Sequence, residues 1–134
     1  MLTLGNFRED CIVPILCNSL ANDESWEVRR NAAIALDMHG DNSSSKSLSS
    51  AISDLHWQVR KFSMRALTKV LSQEYLGEIV KLLCDDYSDV RKEAAIALGL
   101  LGSKKAIPSL KQSLDDADIE VRIQSQKALE KLNV

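Results

Sequence analysis

The chain has 134 residues, a length that suits one compact domain or a short array of repeats and excludes a multidomain enzyme. Hydrophobic residues make up 45% and charged residues 27%, as in globular proteins, and the low aromatic share of 4% predicts an aliphatic, helical core. Seventeen Lys and Arg against 19 Asp and Glu leave a formal net charge of −2, so the chain as a whole has no attraction for nucleic acid or anionic lipid.

One motif recurs four times along the chain at intervals of 31 residues. Each copy has an Asp, a Val-Arg pair five residues later and an Ala-Leu pair seven residues after the Val, giving the pattern D-x4-V-R-x5-A-L. The Val-Arg pairs are Val28-Arg29, Val59-Arg60, Val90-Arg91 and Val121-Arg122, and the Ala-Leu pairs are Ala35-Leu36, Ala66-Leu67, Ala97-Leu98 and Ala128-Leu129. Four copies without a gap predict a repeat architecture.

The repeats divide the chain in order. Residues 1–10 are predicted to be the end of a preceding repeat, because residues 2–14 align without gaps onto residues 96–108. The predicted repeats are residues 11–41, 42–72, 73–103 and 104–134, which together form one domain, residues 1–134. We expect the chain to be the C-terminal part of a longer array, because Leu2, Leu4 and Phe7 do not give the polar outer face of a capping repeat.

Each repeat is predicted to be a pair of helices. Counted from the Val of the motif, apolar or small residues recur at offsets +4, +7, +8 and +11, which lie on one face of a helix. A shorter apolar pattern before each Asp predicts a first helix in every repeat. Because one pair cannot bury its own apolar face, the pairs must stack, and the predicted fold is an all-α, right-handed superhelix (a solenoid) of about four helix pairs.

Glycine and proline support this division. Gly40 and Gly102 follow the predicted second helices of repeats one and three, where a left-handed cap favours glycine. Pro14 and Pro108 are predicted near the starts of first helices, where the missing N–H costs little. His39 occupies offset +11, so we expect it to be a core or half-buried residue.

These residues resemble a known family. The repeated motif, Ala-Ile-Pro at residues 106–108 and Ala-Leu-Gly-x-x-Gly at residues 97–102 are similar to HEAT-like repeats of the phycobilisome-lyase type. The resemblance covers nearly the whole chain and is weakest in repeat two, which lacks the Gly after its second helix and the Pro in its first. It implies an armadillo-like helical scaffold whose second helices line the concave face.

The Asp and Arg of the motif form a predicted structural ladder between repeats. An Arg at the start of every second helix can pair with the Asp of its own or of the adjacent repeat, and it can bind carbonyl groups of the turn. Recurrence in every unit favours this scaffold role over anion binding. The ladder residues are Asp23, Arg29, Asp54, Arg60, Asp85, Arg91, Asp116 and Arg122.

No catalytic, metal or cofactor site is indicated by the sequence. The three cysteines, Cys11, Cys17 and Cys84, have no CxxC spacing, so we expect reduced thiols in a cytoplasmic protein without cofactor. His39 and His56 are the only histidines, and no Ser-His-Asp, Cys-His or Gly-rich phosphate motif is present. No stretch reaches the roughly 18 apolar residues that span a bilayer.

Residues outside the repeated motif should carry function, because the motif itself maintains the scaffold. Predicted helix 57–71 contains Arg60, Lys61, Arg65 and Lys69 and no acidic residue, and we call these four residues the basic stripe. Apolar side chains beside it suit a partner with an acidic and partly apolar surface. The predicted partner-binding residues are Arg30, Ile34, Lys61, Phe62, Arg65, Lys69, Lys92 and Ile96.

The sequence therefore predicts a non-catalytic scaffold that binds a protein partner through its second helices. Three alternatives stay open: an accessory subunit of a chromophore lyase or other protein-modifying complex, a regulatory segment of a larger protein, and a nucleic-acid-binding module. The acidic balance and the lack of an aromatic pocket disfavour the last. Trp26 and Trp57, each two residues before the Val, are expected to pack at the turn between helices, although they could also anchor a partner.

Overall fold

A computed structural model describes residues 4–133 of the chain, with side chains from residue 12 onwards. These residues form α-helices and short 3-10 turns and contain no strand. The helices are α1 (Leu4–Asn22), α2 (Trp26–His39), α3 (Ser45–Ala51), α4 (Trp57–Leu67), α5 (Leu76–Lys81), α6 (Ser88–Leu101), α7 (Ile107–Ser113) and α8 (Ile119–Lys131). The predicted all-α class of paired helices is confirmed.

The chain divides into two compact units, an N-terminal unit (Met1–Val70) and a C-terminal unit (Leu71–Val134). The N-terminal unit contains α1 to α4 and the C-terminal unit contains α5 to α8. In each unit the two second helices pack against each other, α2 against α4 and α6 against α8, and each first helix packs on its own second helix. Each unit is thus two stacked helix pairs.

Small and aliphatic side chains fill both cores, as the composition predicts. The N-terminal unit buries Leu20, Ala32, Ala33, Leu36, Leu48, Ile52, Val59, Met64 and Leu67, and the C-terminal unit buries Ile79, Val90, Ala94, Ala97, Leu98, Leu110, Val121, Ala128 and Leu129. Burial of each larger side chain contributes about 1.5–3 kcal/mol. Small residues also let helices approach closely, since a Cβ added at Gly99 of α6 would lie 3.0 Å from the Cα and Cβ of Ala128 in α8.

A capped 3-10 turn precedes the first helix in three repeats. Asp41, Ser72 and Ser103 each accept a hydrogen bond from the backbone N–H two residues later. The capped turns are Asn42–Ser44, Gln73–Tyr75 and Lys104–Ala106, so they begin where the sequence places repeats two, three and four. The division into repeats itself stays a prediction.

The two glycines after second helices behave differently. Gly102 has φ 79°, so the predicted left-handed cap is confirmed there. The same prediction is wrong at Gly40, whose backbone is extended with φ −73° and ψ 156°. Gly40 instead allows close approach, because a Cβ there would collide with the carbonyl oxygen of Leu36, which accepts its N–H.

Pro108 lies in the first turn of α7, as predicted, whereas Pro14 lies inside α1. The difference arises because α1 is one continuous helix from Leu4 to Asn22, with no turn at residue 10. Leu2 and the side chains of Leu4 and Phe7 lie outside what the structure describes. The assignment of residues 1–10 to a preceding repeat, and of the chain to a longer array, therefore stays a prediction.

Two expected core positions of α2 are exposed. Val28 is 41% exposed, whereas Val59, Val90 and Val121 at the same motif position are all 0% exposed. His39 at the end of α2 is exposed, so its predicted place in the core is wrong. The motif position predicts which way a side chain faces. The side chain is buried only where another element also packs against that face.

Candidate functional site

The Arg of every motif binds the turn that precedes its own helix. The Nη1 atoms donate to the carbonyl oxygen of the motif Asp at 2.9 Å for Arg29, 2.9 Å for Arg60, 2.8 Å for Arg91 and 2.7 Å for Arg122. The Asp carboxylates in turn accept the backbone N–H two residues later, those of Ser25, His56, Tyr87 and Asp118, at 2.9–3.0 Å. These contacts organise the turn between the helices of each pair.

Within each unit, one Arg also reaches the Asp of the following repeat. Arg29 pairs with Asp54 through Nε–Oδ2 at 2.9 Å and Nη2–Oδ1 at 3.2 Å. Arg91 pairs with Asp116 in the same two-pronged way at 2.8 and 3.0 Å. All four side chains are at most 16% exposed, so these pairs join stacked helix pairs and are poorly placed to bind a ligand.

The pKa values of Arg91 and Asp116 reflect this pairing. The hydrogen bond from Arg91 to Asp116 raises the pKa of Arg91 above its ordinary value, although burial opposes it. Burial raises the pKa of Asp116, but the hydrogen bonds from Arg91 and the Asp118 N–H, together with nearby Arg charges, hold it below its ordinary value. Both groups are therefore stabilised in their charged forms.

Aromatic rings meet at the start of the second helices in the N-terminal unit. The Trp26 ring stacks on His56 with ring centroids 3.7 Å apart and an interplanar angle of 4°, and His56 lies 6.3 Å from Trp57. The Nδ1 of His56 also accepts the Gln58 N–H and so caps α4. The expected packing of Trp26 at the turn is confirmed, and its partner is a histidine that the sequence did not indicate.

Arg30 contacts this aromatic group through Trp26. Its guanidinium lies 5.1 Å from the centroid of the Trp26 ring, and its Nη1 donates to Gln58 Oε1 at 2.9 Å. These contacts connect α2 to α4 and leave Arg30 half-buried. Arg30 thus has a structural task in addition to its predicted role in partner binding.

The structure brings three of the predicted binding residues together on α4. Lys61 Nζ and the Arg65 guanidinium each lie 5.2 Å from the centroid of the Phe62 ring. Phe62 and Lys61 are half-buried and Arg65 is exposed. An aromatic ring close to two cations offers both apolar contact and positive charge.

Lys69, the last residue of the basic stripe, is paired with a residue of another helix. It lies in the 3-10 turn after α4, and its Nζ is 3.1 Å from Asp37 Oδ1 and 2.6 Å from the Asp37 carbonyl oxygen. Asp37 belongs to α2, so the acidic partner of Lys69 comes from another helix. The sequence of helix 57–71 could not reveal it.

The other predicted binding residues are half-buried on second helices. Ile34 lies on α2 within the N-terminal unit, and Lys92 and Ile96 lie on α6 of the C-terminal unit. Ile96 borders a shallow depression of about 50 Å³ beside Gly99 and Ala128. The depression is too small for an organic ligand.

Two larger grooves lie between first helices. One of about 510 Å³ is lined mainly by residues of α1 and α3, with Asp54 in its lining. The other, of about 400 Å³, is lined mainly by residues of α5, α7 and the 3-10 turn after α5, with Asp116 in its lining. They occupy equivalent places in the two units, with Ser47 in one and Ser109 in the other. Their recurrence is a consequence of repeated packing and identifies no ligand.

No group of His, Cys, Asp and Glu suited to a metal ion occurs among the described residues. In the same part of the chain, no helix is long and apolar enough to cross a membrane. Cys17 is a half-buried free thiol and Cys84 an exposed one.

Comparisons with known proteins agree with this architecture. A family model described as HEAT repeats matches residues 45–130, and a second, described as HEAT repeat, matches residues 12–38. The comparison with curated proteins gives no match. The specific phycobilisome-lyase type stays a prediction.

Two crystal structures of engineered proteins have the same fold. Each is 26% identical to this chain and superposes with a TM-score of 0.69 over 90% of it in one case and 91% in the other. This chain spans 62% of the first engineered protein and 38% of the second. With the family model matching well over half of its residues, the chain belongs to the HEAT-repeat family.

Proposed function

We propose that this chain is a non-catalytic protein-binding module that recognises its partner through the surface of the second helices. The proposed contact residues are Arg30, Ile34, Lys61, Phe62, Arg65, Lys69, Lys92 and Ile96. The proposed partner is a protein with an acidic and partly apolar surface, met in the cytoplasm. HEAT repeats generally mediate protein–protein interaction, which supports the general class of function.

The arrangement of Lys61, Phe62 and Arg65 is the observation that supports this proposal best. One ring and two cations on adjacent turns of α4 can bind a carboxylate and an apolar side chain side by side. Aromatic residues and Arg supply much of the binding energy in protein interfaces. No comparable observation favours the chromophore-lyase alternative.

The test replaces Lys61 and Arg65, because these are the two cations beside the Phe62 ring, and leaves Lys69 unchanged. A Lys69→Glu substitution would place a carboxylate beside Asp37, so a loss of binding could reflect damage to the packing of α4. The variant is therefore Lys61→Glu with Arg65→Glu. Its matched control is Lys104→Glu with Lys105→Glu, the same change in charge at two exposed residues of the 3-10 turn before α7.

The measurement is affinity purification from the native lysate with the unchanged chain, the variant and the control as baits. Circular dichroism establishes that all three are folded, and mass spectrometry identifies the bound proteins. We expect at least one protein to be retained by the unchanged chain and the control and lost from the variant. Identical proteins on all three baits would refute the site, and bound nucleic acid released steeply by salt would favour the nucleic-acid alternative.

A further inference from the structure

The N-terminal unit has an apolar cluster at the turns that join its first helices to its second helices. Leu55, in the second of these turns, is 97% exposed. His56 and Trp57 follow it directly in the chain, and the Trp26 ring stacks on His56 with ring centroids 3.7 Å apart. All three rings are half-buried. We call these four residues the aromatic edge, and clustered apolar side chains of this kind often mark a surface that another protein covers.

The backbone that carries Leu55 is held in place on both sides. Arg60 Nη1 donates to the Asp54 carbonyl at 2.9 Å and to the Leu55 carbonyl at 3.2 Å. The Asp54 carboxylate accepts the His56 N–H at 2.9 Å and two hydrogen bonds from Arg29. An ordered turn loses little conformational freedom on binding, so the fixed position of Leu55 favours a role in recognition.

The scaffold does not require an apolar side chain at the position of Leu55. This position lies four residues before the motif Val, and in the four repeats it holds Glu24, Leu55, Asp86 and Ala117. The other three turns therefore form with an acidic or a small residue there. The exposed leucine is a feature of one repeat and has no counterpart in the repeated packing.

Carboxylates flank the aromatic edge. Glu24 occupies in the preceding turn the position that Leu55 occupies in its own, and Glu27 lies in the first turn of α2. Both glutamates are exposed, whereas the arginines of the same segments are half-buried, namely Arg29, Arg30 and Arg60. The outer surface around the aromatic edge thus presents carboxylates, which complement a basic partner.

We infer that the aromatic edge is a docking surface for a protein segment that carries Lys or Arg close to an aliphatic side chain. The aliphatic side chain contacts Leu55 and the rings, and the cation pairs with Glu24. Packed helices lie about 8–10 Å apart, so two such side chains two or three residues apart in an extended segment reach both turns. This surface prefers the opposite charge to the basic stripe, and the inference does not depend on the proposed function.

Tryptophan fluorescence measures this docking directly, because Trp26 and Trp57 are the only two tryptophans of the chain and both belong to the aromatic edge. The probe is a synthetic peptide made of three copies of Arg-Ser-Leu-Ser. One comparison peptide has Glu in place of every Arg, and another has Ser in place of every Leu. We expect the first peptide to change the fluorescence saturably below about 1 mM, and both comparison peptides to bind roughly tenfold more weakly or worse.

The variants Leu55→Ser and Glu24→Lys test the apolar and the charged contact separately. Both side chains are exposed, so we expect both variants to fold, which circular dichroism checks. Each should weaken binding of the Arg-Ser-Leu-Ser peptide by roughly fivefold or more. The matched controls Leu100→Ser and Glu78→Lys make the same changes at exposed positions of α6 and α5, and they should alter the affinity by less than about twofold.

Four outcomes would overturn the inference. If no peptide changes the fluorescence up to about 1 mM, the aromatic edge does not accept a segment of this chemistry. If the peptide with Glu binds as tightly as the peptide with Arg, the charge complementarity is wrong. If Leu55→Ser and Glu24→Lys bind as well as their controls, the peptide binds elsewhere. Sedimentation of the natural chain as a dimer that Leu55→Ser dissociates would assign the aromatic edge to a contact between two copies instead.

Discussion

Arg91 illustrates, at the scale of single residues, how a motif residue stabilises the stack. Its guanidinium donates to the Asp85 carbonyl and to both carboxylate oxygens of Asp116. The hydrogen bond to Asp116 is the main reason why the pKa of Arg91 is raised. We expect Arg91→Glu to lower the free energy of unfolding by about 2–4 kcal/mol, because it leaves Asp116 unpaired and adds a second negative charge. Urea unfolding at neutral pH measures this loss.

The matched control for Arg91 is Lys105→Glu, which makes the same change in charge at an exposed site. We expect that substitution to change the free energy of unfolding by no more than about 0.5 kcal/mol. Equal losses in the two variants would show that net charge, rather than the Arg91–Asp116 pair, determines the effect.

Two buried serines occupy positions where other repeats have alanine. Ser63 and Ser125, at motif offset +4, are 0% exposed, and in the described part of the chain their hydroxyls have no hydrogen-bond partner. Ala32 and Ala94 occupy the same offset in repeats one and three. We expect Ser63→Ala to raise the free energy of unfolding by roughly 0.5–1 kcal/mol, since a buried hydroxyl without a partner is costly.

Ser44 provides the contrasting control for Ser63. It is 1% exposed, but its Oγ donates to the Asp41 carbonyl at 2.7 Å. We expect Ser44→Ala to lower stability by about 1 kcal/mol, because it leaves that carbonyl without its bond. A loss of the same size for Ser63→Ala would mean that the Ser63 hydroxyl is satisfied after all.

At the scale of helices, α6 and α8 approach each other closely at one glycine, Gly99. A Cβ at Gly99 would contact the Cα and Cβ of Ala128, whereas a Cβ at Gly77 in α5 would meet nothing within 4 Å. We expect Gly77→Ala to raise the free energy of unfolding by about 0.5–1 kcal/mol through helix propensity. We expect Gly99→Ala to lower it by about 1 kcal/mol, because overpacking outweighs that gain. A stabilising Gly99→Ala, measured by thermal unfolding, would contradict the close approach.

Helix-level structure also shows how far the sequence could predict the candidate site. The position of Lys61, Phe62 and Arg65 on one second helix follows from the 31-residue period. The pairing of Lys69 with Asp37 and the stacking of Trp26 on His56 do not follow from that period, because each joins a residue of α2 to a residue outside α2. Spacing along one helix predicts neighbours on that helix only.

At the scale of the whole molecule, acid should weaken the fold. Asp116 has a folded-state pKa below its ordinary value, which is near 3.9 in an unfolded chain, for the reasons given above. The Ser43 hydroxyl, followed by the Ser43 N–H, lowers the pKa of Asp41 in the same direction. A lowered pKa in the folded state means that the stabilisation is complete above about pH 4 and is lost as the pH falls through the folded-state value.

Urea unfolding at pH 7, 5, 4 and 3 tests this acid dependence. We expect the free energy of unfolding to fall below about pH 4, and to fall less steeply in Asp116→Asn, which is less stable at neutral pH but has no carboxylate there to protonate. An Asp116→Asn variant with an unchanged slope between pH 4 and pH 3 would show that other carboxylates account for the whole loss.

The sequence by itself determined the helix pairs, their 31-residue period, the Asp–Arg ladder positions and the membership in a HEAT-like class. These features follow from local spacing, because a helix brings residues three, four and seven apart onto one face whatever surrounds it. Only the tertiary structure decided that Val28 is exposed while Val59, Val90 and Val121 are buried, and that Gly40 is extended while Gly102 is left-handed. Identical motif positions differ in these ways because burial and turn geometry depend on the element packed alongside, and that element is contributed by a distant part of the sequence.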